Sequence, residues 1–350
     1  MEILNYTNMK ILVGIQCEGR GHITQAIALK QMLQPCGINL NVAVVGKKDK
    51  PLPGYLSDEF NLIKIETLNF VYNKNGDLST TKTLSSNITR LIKIVKSLIY
   101  LVKHINNEKY DIVINFYEPL VGITALFTKS KYISIGHQYF MFSDNYPRSR
   151  YFFIQRFILG IMNKVCSIKS KIIALSYYDG KISNGVVTPP LLRNESYVTS
   201  TNTENFILVY LVNEEKIPQL IEVCKQNSNI NIVCFTNLTK QVENVHNLKV
   251  YQLNNKEFIQ SMKICTGVVC TGGFETSSEA IIQNKPLLMV PTPNHYEQIC
   301  NCRDAENAGF AINGTLNDIP KLLNQKNNVN RSWFNQKTVK DSILKVIKTL

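Results

Sequence analysis

A chain of 350 residues exceeds what one ordinary core supports and suits two domains of common size, or one large one. With 44% hydrophobic and 19% charged residues it is not a disordered chain, which lacks the apolar material to offset chain entropy. The excess of 39 Lys and Arg over 26 Asp and Glu, a formal charge of +13, favours an anionic partner: a phosphate-bearing substrate, a membrane surface or a nucleic acid. Nucleic acid is not expected, because no arginine-rich arm, zinc-finger spacing or RNA-binding aromatic motif accompanies the charge. The nine cysteines form no CxxC pair and no zinc-spaced cluster with histidine, so reduced, buried thiols, a cytoplasmic location and no metal are expected.

The N-terminal stretch has no basic segment followed by a long apolar one, so no signal peptide is expected. In chain order, strands are predicted at 10–15, 40–45, 62–66, 111–116, 132–135 and 171–175. Helices are predicted between them at 21–33, roughly 84–106, 120–128 and 148–164. This alternation describes a parallel sheet covered by helices. The apolar stretches 91–105 and 151–165 are each interrupted by Lys or Arg and are too short to span a bilayer. From Gly185 to Asn205, which contains Pro189-Pro190 and a Ser/Thr/Asn run, the periodicity fails, predicting a turn and linker. Beyond it, strands are predicted at 206–212, 230–236, 248–252, 267–270 and 287–290, with helices at 214–226, 255–263, 276–283 and 296–308. A terminal helix at 334–350 could return to the first domain. The expected domains are therefore 1–190 and 191–350, both doubly wound, with an Asn-rich stretch at 324–330. In such folds ligands bind outside the carboxyl ends of the strands.

Two strand-to-helix turns carry the chemistry. The first, Cys17-Glu18-Gly19-Arg20-Gly21-His22, lets backbone approach a ligand at a helix start, where free N–H groups and the positive dipole end favour an anion. It lacks the third glycine of the dinucleotide fingerprint, and 42–46 lacks the ribose-binding acid, so a nicotinamide enzyme is disfavoured. His22 can act as a general base or a hydrogen-bond donor, or can simply help to cap the helix. Arg20 divides between phosphate contact and solvent, and Glu18 is a lesser candidate.

The second turn is Thr271-Gly272-Gly273, followed by Phe274-Glu275-Thr276-Ser277-Ser278-Glu279. Glycines at the turn, with hydroxyls and N–H groups at the helix start, suit a diphosphate held without a metal. Glu279 can accept both ribose hydroxyls; alternatively Thr276-Ser-Ser-Glu279 is a capping box. Further on, Glu297, Gln298 and Asn301 occupy neighbouring helix positions, as sugar-hydroxyl recognition would need, although singly each reads as solvated surface.

These residues resemble the MurG-like glycosyltransferases of the GT-B fold, in particular relatives with a GGFET/SEA signature. The likeness runs through GRGHITQA near the start and GGFETSSEA…KPLLMVP…YEQICN near the end. It implies two Rossmann-like α/β domains facing a central cleft, the first binding the acceptor and the second the donor. It further implies a nucleotide-sugar, typically a UDP-sugar, as donor and substrate, with no obligatory cofactor. Carried across, Gly273 to Thr276 would hold the diphosphate, Glu279 the ribose, and Glu297 with Gln298 the donor sugar. Arg193, which would otherwise read as an exposed linker residue, matches an arginine that touches phosphate. His22 matches the family histidine and is the leading base for inverting displacement after lobe closure. Glu18, Glu118 and Asp144 are acidic substitutes, and His137 is a lesser acceptor-side candidate. The first loop is poorer in glycine than that of MurG, so the peptidoglycan acceptor does not transfer.

A lipid-linked hydroxyl acceptor and peripheral attachment to the inner face of an anionic membrane would account for the charge, with helix 151–165 resting on lipid. That helix being buried is the equal alternative. Two rivals stand beside a transferase. A GT-B nucleotide-sugar 2-epimerase would carry an Arg-x-x-Thr-Glu-Arg-Pro-type stretch that this chain lacks. The other rival is a non-catalytic sugar-nucleotide or lipid-surface binding protein.

Overall fold

A computed structural model of the chain describes residues 9–47, 52–68, 71, 79–148, 152–200, 202–211, 214–238, 245–325 and 330–350. The predicted N-terminal stretch before residue 9, the strand end at Val212, the helix start at 149–151 and most of the Asn-rich stretch lie outside the described residues. The chain separates into two compact units. The first holds the chain to Arg193, apart from a short stretch after Tyr146, and Asn335–Leu350; the second holds Asn194–Phe334.

The first unit is built on seven parallel strands: β1 (Ile11–Ile15), β2 (Val42–Lys47), β3 (Asn61–Glu66), β4 (Ile112–Phe116), β5 (Lys131–Gly136), β6 (Ser170–Leu175) and β7 (Gly185–Thr188). Their order is β3-β2-β1-β4-β5-β6-β7. β1 and β4 are buried at every position, as expected for central strands covered on both faces; β1 reads as a continuous apolar run, and β4 is apolar except for Asn115, whose amide donates to the Glu118 and Cys166 carbonyls. Helices α1 (Gly21–Leu33), α2 (Gly54–Glu59), α3 (Thr80–Glu108), α4 (Pro119–Thr124) and α5 (Phe153–Cys166) connect them. The order reverses at β1, whose neighbours are β2 and β4, so the switch point lies where β1 runs into α1.

The second unit has six parallel strands: β8 (Ile207–Tyr210), β9 (Ile232–Thr236), β10 (Leu248–Gln252), β11 (Gly267–Cys270), β12 (Leu287–Met289) and β13 (Ile312–Asn313). They lie in the order β10-β9-β8-β11-β12-β13, with the switch between β8 and β11. Helices α6 (Ile217–Gln226), α7 (Asn255–Ile264), α8 (Phe274–Ile282) and α9 (Tyr296–Asn307) cover this sheet. The last helix, α10 (Gln336–Lys348), packs on β7 of the first unit. It buries Val339, Ile343, Val346 and Ile347, one stripe at helical spacing.

Four readings from the sequence are corrected. The segment 185–205 is not simply a linker: Gly185–Thr188 is β7, and Asn194–Tyr197 is a turn of 3-10 helix. A Cβ on Gly185 would stand 2.2 Å from the Ile172 carbonyl, so only glycine permits this close edge pairing. The helix predicted at 120–128 ends at Thr124, and the one predicted from 148 begins at Phe153. α8 starts at Phe274 rather than at Thr276.

Candidate functional site

At the carboxyl end of β11 the chain turns through Thr271-Gly272-Gly273 into α8. Gly273 is the N-cap, at φ −81° and ψ 133°, with no side-chain cap, so the first-turn N–H groups of Phe274, Glu275 and Thr276 have no carbonyl within the helix to meet. This removes the capping-box reading, because Thr276 and Glu279 both lie inside the helix. The Ser277 hydroxyl donates to the Gly273 and Phe274 carbonyls (both 2.9 Å) and that of Ser278 to Phe274 (2.7 Å), so neither serves as a cap.

The two glycines differ. A Cβ on Gly272 would lie 2.5 Å from the Gln298 carbonyl oxygen and 2.7 Å from its Cβ, so Gly272 is where α9 presses onto the turn. Gly273 is exposed, with open space where a Cβ would be. The α9 contact is fastened by Asn301, itself buried, whose amide donates to the Gly272 carbonyl at 3.0 Å. The Gln298 side-chain oxygen accepts from the Thr292 N–H at 2.9 Å. Both residues, expected to read a sugar, brace the loop. Glu297 is half-buried in the first turn of α9, which His295 caps by accepting from the Gln298 N–H. Burial lowers the pKa of His295, keeping it a neutral acceptor.

Glu279 is buried, and one of its oxygens accepts from the Ser196 hydroxyl at 2.9 Å. Beside it Glu275 is also buried, and burial together with that carboxylate raises the pKa of Tyr197. The 3-10 turn Asn194–Tyr197 thus packs on the first turns of α8. Ser196 and Tyr197 were not foreseen, since a polar run after two prolines reads as linker. Lys216 was not foreseen either. It follows β8, yet its ammonium donates to the Pro291 carbonyl (3.4 Å), two residues beyond β12. β11 lies between those strands, so the Lys216 side chain passes across the β11 end, where the glycine turn begins. Burial lowers its pKa, and among the described residues no carboxylate pairs with it. A cation and a helix N-terminus therefore converge on one strand end, an arrangement suited to a diphosphate.

In the first unit, the loop after β1 leaves Gly19 and Glu18 exposed, Arg20 and Gly21 half-buried, and His22 buried in the first turn of α1. The His22 Nδ1 faces the Gln25 Oε1 and its Nε2 faces the Gln138 Nε2, each at 3.4 Å. That pairing places the proton on Nδ1 and the lone pair on Nε2. The ring stacks on Tyr117 at 5.7 Å. Desolvation lowers its pKa to about 4, partly opposed by the Gln25 hydrogen bond, so the imidazole is neutral at pH 7.

The remaining candidates are dispersed. His137 is buried among Phe140, Tyr146 and Tyr177, and its Nδ1 donates to the Leu175 carbonyl at 2.8 Å, which ties it to the end of β6. Glu118 is fully buried as the N-cap of α4, accepting from the Leu120 N–H and the Thr67 hydroxyl. Asp144 is exposed. Arg193 is buried as the last residue of the first unit, not exposed as a linker arginine would be. Among the described residues no group of three His, Cys, Asp or Glu could hold a metal ion, and no helix is long and apolar enough to cross a membrane.

A family model described as glycosyl transferase family 1 matches residues 9–326. No curated protein matches the chain. Among solved structures, the glycotransferase of kitacinnamycin is similar at a TM-score of 0.67 with 12% identity, covering 97% of this chain and 99% of that one. Staphylococcus aureus MnaA, solved with UDP, follows at 0.64 and 14%, covering 97% and 96%. Acinetobacter baumannii MurG is similar at 0.54 and 14%, covering 97% and 95%. At these identities the likeness establishes the fold, two Rossmann-like domains of the GT-B type.

Proposed function

The chain belongs to glycosyl transferase family 1, and from that premise we propose that it moves a hexose or N-acetylhexosamine from a UDP-sugar to a hydroxyl acceptor, with inversion and without an obligatory metal. The observation that carries this reading is the turn Gly272–Gly273 opening α8, with Lys216 across the strand end and buried Glu279 one turn along. The α8 N–H groups and Lys216 take the diphosphate, neutralising charge that grows as the glycosidic bond to phosphate breaks. Glu279, a buried acceptor-only carboxylate that also takes the Ser196 hydroxyl, accepts a ribose hydroxyl. Glu297 and the Gln298 amide nitrogen face the donor sugar, and Arg193 supplies a further phosphate contact. His22, neutral with its lone pair on Nε2, takes the acceptor proton as the acceptor oxygen attacks the anomeric carbon. The MurG resemblance and the UDP of the MnaA structure favour uridine as the base.

Calorimetric titration with UDP tests the assignment. Glu279→Ala is expected to weaken UDP roughly tenfold to a hundredfold, the loss of hydrogen bonds to a charged group worth about 1.5–3 kcal/mol. Unchanged affinity in a folded variant removes the ribose role. UDP release that requires an added acceptor separates transfer from epimerisation or simple binding.

A further inference from the structure

The helices over one face of the first sheet present apolar side chains to solvent. On α3, Ile88, Leu91, Ile92, Val95 and Ile99 form one exposed stripe at helical spacing, Ile92 being 73% exposed. The stripe flanks the buried positions Ile94, Leu101 and Ile105, so α3 has two apolar faces and uses only one in the core. On α5, Phe153, Ile154, Phe157 and Ile161 are likewise exposed, Phe153 to 74%. Short, buried α4 contacts both helices, so the two stripes belong to one layer. Soluble monomers rarely leave so many large apolar side chains together in water.

The charges around these stripes identify the occupant. Lys93, Lys96 and Lys103 on α3 and Arg156 and Lys164 on α5 are exposed, and among the described residues none forms an ion pair. The single carboxylate on either helix, Glu108 at the far end of α3, is bonded to Lys10. A second copy docked through the same face would set five cations against five with no acid between them, which a two-fold contact cannot tolerate. An anionic bilayer satisfies both features, with apolar side chains entering the acyl boundary and lysines reaching headgroup phosphates.

We infer that the α3–α5 face of the first unit docks on an anionic lipid bilayer. Both helices run back from the carboxyl ends of their strands, so their N-terminal halves, where Ile88–Val95 and Phe153–Phe157 lie, sit at the edge that carries Gly19–His22. If the glycosyl-transfer reading holds, this edge receives its hydroxyl acceptor from the bilayer; the docking itself does not depend on that reading.

The test is cosedimentation of the full chain with phosphatidylcholine vesicles, with and without phosphatidylglycerol, at low and high salt. Binding to the anionic vesicles that salt weakens is expected. Each lysine near the surface contributes about fivefold, so K96Q/K103Q/K164Q should lower partitioning on the order of a hundredfold. Ile92→Ser with Phe157→Ser should lower it at least about tenfold, since each removes a large apolar side chain from the acyl boundary. Both variants should keep the wild-type melting temperature and the wild-type thermal shift with UDP. A missing UDP shift in all three chains would strike the donor assignment alone. Failure to sediment with anionic vesicles at low salt, or equal binding to neutral ones, overturns the inference. So does a dimer in light scattering that the serine variant dissociates, or retention by polyglutamate without retention by vesicles.

Discussion

Adjacent glycines at the α8 turn should respond to the same substitution in opposite ways. In Gly272→Ala the new Cβ meets the Gln298 carbonyl at 2.5 Å and its Cα at 2.8 Å, backbone atoms of a helix that cannot swing aside as a side-chain tip can. α9 must move away, and with it the 3.0 Å bond from Asn301 to the Gly272 carbonyl is strained or lost. Overpacking costs roughly 1–3 kcal/mol, and the hydrogen bond adds about 1 kcal/mol. A total of about 2–4 kcal/mol lowers the melting temperature by about 5–15 °C. In Gly273→Ala the Cβ meets nothing within 4 Å, and φ −81° with ψ 133° suits any residue. Stability should change by less than about 1 kcal/mol, because the entropy gained through the unfolded chain is offset by the poorer capping of alanine at this N-cap. The open space it occupies is the proposed diphosphate seat, so UDP affinity should fall about tenfold or more, the loss of ~1.4 kcal/mol of contact. Differential scanning fluorimetry and UDP titration of both variants provide the readout. A Gly272→Ala chain that melts with the wild type, or a Gly273→Ala chain that binds UDP as tightly, would refute the packing argument or the seat respectively.

Lys216→Gln should weaken UDP roughly tenfold while leaving uridine binding unchanged, because a charge-assisted bond to phosphate is worth about 1.5–3 kcal/mol and a nucleoside has no phosphate to lose it; equal losses for both ligands would make Lys216 structural. His22 links stability to pH. Its folded pKa, about 4, lies below the unfolded 6.5, so between those values the unfolded chain binds the extra proton. The contribution is therefore complete above pH 6.5 and is lost as pH falls toward 4, to a total on the order of 3 kcal/mol. Urea denaturation across that window should show this slope, and His22→Asn should flatten it. A wild type whose His22-dependent stability is unchanged from pH 7 to 4 would show the ring to be solvated.

The sheets were legible because parallel strands covered on both faces are near-continuous apolar runs, as β1 and β11 are throughout and β4 is at every position but Asn115. β7 was not, since a four-residue edge strand running from Gly185 to the residue before Pro189-Pro190 carries turn chemistry at both ends. The glycine turn was legible in place but not in detail. A Ser/Thr cluster looks like a cap in sequence, yet the backbone of Gly273 opens the helix and the hydroxyls turn inward. Lys216 was beyond reach: in Glu214-Glu215-Lys216 it looks like solvated charge. Only the strand order β8-β11-β12 brings a residue following β8 across the end of β11.

The same geometry decides which polar residues of α9 are available to choose a sugar. Helical spacing groups Glu297, Gln298 and Asn301, and sequence alone gives no reason to separate them. The structure separates them by what each must satisfy. Asn301 is 1% exposed and spends its amide on the Gly272 carbonyl, an acceptor that would otherwise be buried without a partner beside α9. Gln298 spends its oxygen on the Thr292 N–H and so holds the chain leaving β12. A loop that packs a glycine against a helix backbone needs such fastening, because at Gly272 it has no side chain of its own to bury. For the glycosyl transfer proposed above, Glu297 and the Gln298 amide nitrogen are the expected sugar contacts, an acceptor and a donor in successive positions. Such a pair distinguishes hydroxyl orientations by which partner each hydroxyl can reach, whereas Asn301 acts through the position of the turn and hence on the nucleotide.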